Sequence, residues 1–190
     1  MSDWLEVWER KGRTDTTDLR TLDGFEHTTI DPVAVARRIT EILALRPDKT
    51  VLEVGCGAGM LAAHMPGQYT GVDYSPAMIG KFRALQPGRH AEVSEARKLR
   101  FADRSFDKVF AFSVFQYFPD AAYAAGAIAE LRRVARHAVF IGDLPLRSHS
   151  ADHRLYTREQ FAGWEISDGF YNPDRFNAYL ALPGVARGNA

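Results

Sequence analysis

The chain has 190 residues, in which 24 lysine and arginine residues balance 24 aspartate and glutamate residues to a formal net charge of zero. A hydrophobic share of 46% with 25% charged residues is typical of a globular domain and excludes a disordered or fibrous chain. No apolar run approaches the ~18–20 residues that a membrane span needs. The neutral balance gives no electrostatic footprint for nucleic acid or an anionic membrane.

The cysteine content indicates a reducing environment. Cys56 is the single cysteine, which excludes an intramolecular disulfide and leaves too few thiols for a zinc cluster. We therefore expect a cytosolic protein without a metal centre. The mixed charge of the first residues is unlike a secretory signal, so none is expected.

Short apolar runs alternate with helical patterns along the chain. The predicted helices begin at Asp31, Ala58, Ser75, Pro119 and Thr157. The predicted parallel strands are 50–54, 69–73, 90–95, 106–114 and 137–143. An antiparallel hairpin is predicted from 164–171 and 175–182. This alternation predicts a parallel α/β sheet with an antiparallel edge.

A glycine-rich loop carries the strongest chemical signal. Residues 53–59, Glu-Val-Gly-Cys-Gly-Ala-Gly, follow a strand, and the glycines allow the backbone to approach a ligand closely. Glu53 would repel a pyrophosphate and favours a ligand with an amine or a positive charge. Asp73 ends the next strand, at the distance where an acid accepts hydrogen bonds from ribose hydroxyls. The alternatives are a structural turn or another nucleotide for the loop, and a helix cap for Asp73.

These segments resemble known motifs. Residues 51–59 and 71–76 look like the first two motifs of the class I S-adenosylmethionine-dependent methyltransferases. Residues 99–107 and 114–120 are similar to that family's segments around the fourth strand, and the hairpin matches its reversed strand. The resemblance implies a Rossmann-like α/β fold with a seven-stranded, mostly parallel sheet, order 3-2-1-4-5-7-6, with strand 7 antiparallel and helices on both faces.

The resemblance also implies S-adenosylmethionine as cofactor and S-adenosylhomocysteine as product. The loop glycines would lie close to the methionine moiety of the cofactor. Glu53 would orient the amino-acid end of the cofactor, and Asp73 would hold the ribose hydroxyls. Glu95 would receive the adenine amino group, with a solvated acid as the alternative, and Cys56 would be a small buried residue of the loop. The implied cofactor residues are Glu53, Gly55, Cys56, Gly57, Gly59, Asp73, Tyr74, Met78, Glu95, Ala96, Phe112 and Ser113.

The acceptor is expected beyond the carboxyl ends of the strands. Trp4 and Trp8 are spaced to share one face of a short helix, which we interpret as a lid, with packing on the other helices as the alternative. A general base is needed only if the acceptor loses a proton. The candidate bases on the strand-end loops are Tyr117, Asp143, His149 and His153.

We therefore expect a helical lid and connector over 1–30, a methyltransferase domain over 31–182 and a flexible tail over 183–190. The predicted function is methyl transfer to an O or N atom of a small molecule, mainly by positioning. One alternative is a cofactor-binding protein that methylates nothing. The other is methylation of RNA or protein, which the zero net charge disfavours. The sequence leaves the acceptor and the oligomeric state open.

Overall fold

The computed structural model describes residues 3–148 and 150–183, and a seven-stranded sheet lies at its centre. The strands are β1 Thr50–Val54, β2 Gln68–Asp73, β3 His90–Val93, β4 Phe106–Phe112, β5 Ala135–Pro145, β6 Glu165–Asp168 and β7 Arg175–Ala181. Their order is β3-β2-β1-β4-β5-β7-β6, and only β7 pairs antiparallel with its neighbours. The predicted fold class and strand order are confirmed.

Five α-helices accompany the described sheet. They are α1 Trp4–Gly12, α2 Leu19–Leu22, α3 Pro32–Ile42, α4 Pro76–Leu85 and α5 Ala121–Val134. Single 3₁₀ turns lie at Ala62–His64, Phe115–Tyr117 and Arg158–Phe161. Side chains of Asp31, Ser75 and Asp120 cap α3, α4 and α5, so these helices begin within two residues of the predicted positions. None of the helices in the described part of the chain is long and apolar enough to cross a membrane.

The core lies on both faces of the sheet. Leu52 of β1 packs in one apolar cluster with Leu131 of α5, and the adjacent Val51 packs in another with Ile39 of α3. All four side chains are fully buried. Because alternate residues of β1 face opposite layers, both must be apolar, and the sheet is fixed between helices. Its carboxyl edge is left for the loops.

The helix predicted to begin at Ala58 is wrong. Only the 3₁₀ turn Ala62–His64 forms there. Gly59 has φ +95°, which is not helical, and Pro66 follows two residues after the end of the turn. Because these two residues leave a short segment between them, no α-helix can develop.

Other predicted boundaries also differ from the structure: the strand predicted over 90–95 ends at Val93, and the strand predicted over 137–143 extends over Ala135–Pro145. β4 ends at Phe112 rather than at residue 114, because Ser113 adopts φ +58°. The predicted hairpin strand 164–171 is shorter, running over Glu165–Asp168. Thr157 forms its capping box, yet only a 3₁₀ turn follows.

The segment between α1 and α3 is packed, although its polar sequence predicts a mobile connector. Leu22 and Ile30 are buried in it. The Arg20 guanidinium donates hydrogen bonds to the carbonyl oxygens of Ile30 at 2.6 Å and Thr28 at 2.5 Å. Since one side chain joins these carbonyl groups, the segment holds a defined path toward the carboxyl edge of the sheet. The predicted tail lies outside the described residues except for Pro183.

Candidate cofactor and acceptor site

A cavity of about 720 Å³ opens at the carboxyl edge of the sheet. The glycine loop, the ends of β2 and β4, helix α1 and the loop after β5 surround it. Ligand pockets of this size hold small molecules and cofactors. The cavity therefore lies where an open α/β sheet places its ligand.

The glycine loop turns sharply under this cavity. The N–H groups of Gly55 and Cys56 both donate to the Val72 carbonyl oxygen, at 2.7 and 3.0 Å. Gly55 has φ +78°, and a Cβ atom there would lie 2.3 Å from Cγ2 of Val114. Glycine is therefore required at position 55 by both its backbone angle and its neighbour.

Two predicted acids sit beside the loop. Glu53 is 3% exposed and accepts a hydrogen bond from the Tyr69 hydroxyl. Asp73 accepts hydrogen bonds from the N–H groups of Ser75 at 2.9 Å and Gly57 at 3.1 Å. Burial raises the pKa of Glu53 to about 8 and that of Asp73 to about 6. A positively charged ligand would stabilise both groups in their ionised form.

A third carboxylate, Asp23, joins them from the N-terminal segment. Its Oδ1 accepts from the Ala58 N–H at 2.6 Å and its Oδ2 from the Met60 N–H at 2.9 Å. Burial raises the pKa of Asp23 to about 7. Sequence reasoning missed this residue, because nothing in a polar connector indicates which distant loop its side chain will reach.

Most of the predicted cofactor residues line the cavity. They are Glu53, Gly55, Cys56, Gly57, Asp73, Tyr74, Glu95, Ala96, Phe112 and Ser113. Glu95 is exposed and pairs with Arg97 at 3.2 Å. Burial raises the pKa of the Cys56 thiol, so it remains protonated and acts as a small apolar side chain.

Two predicted cofactor residues lie elsewhere. Met78 is fully buried behind the loop, in a cluster with Leu22 and Ala58. Gly59 faces Phe82, whose ring would lie 2.9 Å from a Cβ atom there. Neither residue lines the cavity, because the loop has already turned away from it at Gly59 and α4 presents Met78 inward. Their assignment as ligand contacts is therefore corrected to packing.

An aromatic cluster covers the far side of the cavity. Trp4 of α1 lies 4.8 Å from Tyr117 and 5.2 Å from His153 between ring centroids, and Trp8 lies 5.1 Å from Tyr117. All four side chains line the cavity. The N-terminal helix therefore closes this end together with the loops that follow β4 and β5, the position predicted for the lid.

The predicted bases separate into two groups. Tyr117 and His153 face the cavity, and Nδ1 of His153 lies in hydrogen-bond contact with Oγ of Ser148. Burial raises the pKa of Tyr117, so its hydroxyl stays protonated at neutral pH. His149 lies outside the described residues. Among the described candidates, Tyr117 and His153 are therefore the two that line the cavity.

Asp143 does not line the cavity, and its assignment as a base is corrected. The residue is 3% exposed and adopts φ +63°, which turns its side chain toward the terminal hairpin. The Tyr171 hydroxyl donates to its Oδ2 at 3.0 Å, and the Arg175 guanidinium lies 3.8 Å from the same oxygen. Arg175 also donates to Oε1 of Gln116 at 2.7 Å. Asp143 thus belongs to a buried network behind the site.

The cavity is acidic although the chain is neutral. Seven carboxyl groups and two guanidinium groups line it among the described residues. One of the guanidinium groups, Arg97, is already paired with Glu95. An excess of carboxylates around a partly enclosed volume attracts cationic ligands. The described part of the chain holds no cluster of residues suited to a metal ion.

Fold and site together define a cofactor-binding α/β protein of the doubly wound class. Residues 52–141 match the family model described as a methyltransferase domain. This match covers just under half of the chain and, with the observed strand order, makes it similar to the class I S-adenosylmethionine-dependent methyltransferases.

Curated relatives align with about half of the chain. The ubiquinone biosynthesis O-methyltransferase of Pseudoalteromonas translucida is 31% identical over 101 residues, which are 49% of this chain and 43% of the relative. The enzyme of the same name from Yersinia enterocolitica is 32% identical over 101 residues, 49% of this chain and 42% of the relative. The chain thus matches less than half the length of these proteins.

Solved structures show the same fold at low identity. Phosphoethanolamine N-methyltransferase 1 of Haemonchus contortus, crystallised with phosphoethanolamine and S-adenosylhomocysteine, superposes with a TM-score of 0.71 and 13% identity, over 99% of this chain and 50% of that one. Magnesium protoporphyrin IX methyltransferase of Synechocystis PCC 6803 was crystallised with S-adenosylmethionine. It superposes with a TM-score of 0.65 and 16% sequence identity, over 96% of this chain and 92% of that one.

Proposed function

We propose that this protein transfers a methyl group from S-adenosylmethionine to an O or N atom of a small-molecule acceptor. The observation that carries the proposal is the cavity in which Glu53, Asp73 and the glycine loop meet. Its negative charge suits a sulfonium cofactor, and its volume of about 720 Å³ suits a nucleoside with an amino-acid extension. The residues present therefore fit this cofactor.

Asp73 and Glu53 divide the binding roles. Asp73 would accept hydrogen bonds from the ribose hydroxyls, since each of its oxygens accepts one hydrogen bond from a backbone N–H and keeps a further lone pair. Glu53 would face the amino-acid end of the cofactor across the loop. Its Oε2 accepts from the Tyr69 hydroxyl, and its other carboxylate oxygen would remain for the ligand. Tyr74 and Phe112 supply apolar walls on the adenine and methionine sides, respectively.

The chain's own residues would act on the acceptor by positioning and by proton removal. When bound, S-adenosylmethionine supplies an electrophilic methyl group. The aromatic cluster of Trp4, Trp8, Tyr117 and His153 would exclude water and hold the acceptor in line with that group. His153 would take the proton from an acceptor hydroxyl or ammonium, and Ser148 would orient its ring through Nδ1.

We further propose that residues 31–182 form the catalytic domain and residues 1–30 its lid. The curated relatives are named for O-methyl transfer, which supports screening hydroxyl acceptors first. The neutral net charge supports a small molecule over nucleic acid.

Calorimetric titration with S-adenosylmethionine and S-adenosylhomocysteine tests the binding half of the proposal. An acceptor panel followed by S-adenosylhomocysteine release, with mass-spectrometric detection of a product heavier by one methyl group, tests the catalytic half. Binding without turnover across hydroxyl and amine acceptors would support the non-catalytic alternative. Absence of binding by the wild-type protein would overturn the proposal.

A further inference from the structure

Asp23 connects the N-terminal segment to the glycine loop. Its two carboxylate oxygens accept one backbone hydrogen bond each, from Ala58 and Met60. In the sequence these partners lie 35 and 37 residues further on. Because no α-helix forms after the loop, these two N–H groups depend on Asp23 for a charged acceptor.

The loop and Asp23 fit together closely. A Cβ atom on Gly57 would lie 2.4 Å from Oδ1 of Asp23. Glycine at position 57 thus leaves room for this carboxylate. The N–H group of Gly57 itself donates to a different carboxylate, that of Asp73. Two carboxylates from different segments therefore hold consecutive parts of the same loop.

The backbone that carries Asp23 is well anchored. Leu22, directly before it, is fully buried against Ala58 and Met78. The Lys11 ammonium donates to the Thr21 carbonyl oxygen at 2.9 Å, which attaches the end of α1 to the same segment. The backbone directly before Asp23 is thus fixed, and its part-buried carboxylate lines the cavity with Glu53 and Asp73.

We propose that Asp23 is a cofactor-positioning residue: it holds the glycine loop in its binding shape and places a negative charge toward the cationic amino-acid end of S-adenosylmethionine. This inference rests on the proposed function. It makes the segment before α3 part of the cofactor site rather than a connector, although the matched methyltransferase domain begins only at residue 52.

The surroundings of Asp23 support a role for its negative charge as well as for its hydrogen bonds to the loop. No lysine lines the cavity within the described residues, and its two guanidinium groups belong to Arg97 and Arg154, on the loops after β3 and β5. Lys11 interacts electrostatically with Asp23, but its ammonium group donates hydrogen bonds to Thr21 and Glu26. The charge of Asp23 is therefore left for a ligand.

The test is an Asp23→Asn variant titrated with three ligands: S-adenosylmethionine, S-adenosylhomocysteine and 5′-deoxy-5′-methylthioadenosine, which lacks the amino-acid end. Asparagine keeps the size but loses one acceptor oxygen and the charge. We expect the first two ligands to bind about tenfold or more weakly, and methylthioadenosine to change by less than about threefold. Amide exchange at Ala58 and Met60 should accelerate.

Asp18→Asn is the matched control. Asp18 lies in the same segment and caps α2 by accepting from Arg20 at one carboxylate oxygen and from Thr21 at the other, so asparagine removes one acceptor oxygen and the charge there as well. It does not line the cavity, so ligand affinities should not change. Urea unfolding of both variants separates ligand-specific loss from general destabilisation, and Asp23→Ala repeats the test with the carboxylate removed entirely.

An equal loss for all three ligands, or unchanged affinities in Asp23→Asn, would overturn this inference while the proposed function stands. If the wild-type protein binds neither S-adenosylmethionine nor S-adenosylhomocysteine, the proposed function falls and this inference falls with it. Slow exchange retained at Ala58 and Met60 in the variant would contradict the loop-holding role directly.

Discussion

Glu9 of α1, the helix proposed as a lid, accepts a hydrogen bond from Ser75, the residue that caps α4. Its Oε1 accepts from the Ser75 hydroxyl at 2.7 Å and also from the Ala77 N–H at 3.0 Å. Ser75 in turn donates its N–H to Asp73. The helix carrying Trp4 and Trp8 is thereby attached two residues away from Asp73, the acid proposed to hold the ribose.

Replacing Glu9 by glutamine should loosen this lid. The variant loses the charged acceptor, and hydrogen bonds to charged groups contribute about 1.5–3 kcal/mol. We expect faster amide exchange in α1, greater exposure of the tryptophans in fluorescence quenching, and about threefold to thirtyfold weaker binding of S-adenosylmethionine. Glu6→Gln is the control, because Glu6 is exposed on the same helix. Unaltered quenching in Glu9→Gln would contradict this role.

Asp73→Ala should weaken every ligand that carries the ribose. Its carboxylate holds Ser75 and Gly57 and would face the sugar hydroxyls. Loss of charged hydrogen bonds predicts about tenfold to hundredfold weaker binding of S-adenosylmethionine, S-adenosylhomocysteine and methylthioadenosine alike. This pattern differs from that expected for Asp23, which spares methylthioadenosine. Calorimetry on the three ligands makes the comparison, with the exposed Asp103→Asn as control. Selective loss of the amino-acid ligands would place Asp73 elsewhere in the site.

Cofactor affinity should depend on pH through three carboxyl groups. Burial raises the pKa of Asp73 to about 6, of Asp23 to about 7 and of Glu53 to about 8. Raised values favour the protonated forms, so without ligand the folded state loses stability as pH rises through this range. A cationic ligand favours the ionised forms, and its binding must release protons.

Affinity for S-adenosylmethionine should therefore rise between pH 6 and 8 and level off above it, following those pKa values. The groups that face these carboxyls are Glu9, Lys11, Cys56 and Tyr69. Calorimetry in buffers of different ionisation enthalpy measures the protons released. Methylthioadenosine, which is neutral, is the control ligand. Proton uptake on binding S-adenosylmethionine would reverse the sign and contradict this assignment.

His153 and Tyr117 should respond differently to substitution. His153→Asn should lower kcat about a hundredfold with a hydroxyl acceptor, with little effect on cofactor affinity, because general-base catalysis contributes 10²–10⁴-fold. Tyr117→Phe keeps the ring against Trp4 and Trp8, so kcat should stay within about threefold. Steady-state kinetics on the acceptor found by screening checks both. A larger loss in Tyr117→Phe would make its hydroxyl the active group.

Local signals in the sequence predict the fold well. Asp31, Ser75 and Asp120 cap the helices that follow them because a cap depends on two or three neighbouring residues. The glycine loop likewise follows from a local motif, whereas the strand order follows from the resemblance to the methyltransferase family. What sequence reasoning missed depends on distant contacts: Asp23 reaches a loop that only the folded chain brings near it.

Asp143 likewise shows that local sequence signals do not determine where a side chain points. Its position at the end of a strand predicts a place in the site. Its positive φ, the hydrogen bond from its N–H to Asn177 and the Arg175 guanidinium beside its carboxylate instead hold the side chain away from the cavity. The decisive residues, Arg175 and Asn177, lie more than thirty positions later. No local pattern around Asp143 indicates which way its side chain points.

Gly55→Ala should impair stability and cofactor binding more than the addition of one methyl group suggests. The new Cβ atom would lie 2.3 Å from Cγ2 of Val114, at φ +78°. We expect a loss of about 2 kcal/mol or more in the free energy of unfolding and no measurable cofactor binding. Adding Val114→Ala relieves the clash but leaves the backbone strain, so stability should recover in part. Urea unfolding of the two single variants and the double variant measures the coupling. Strict additivity of the two changes would show that Val114 does not limit the loop, and glycine would then be required for its backbone angle alone.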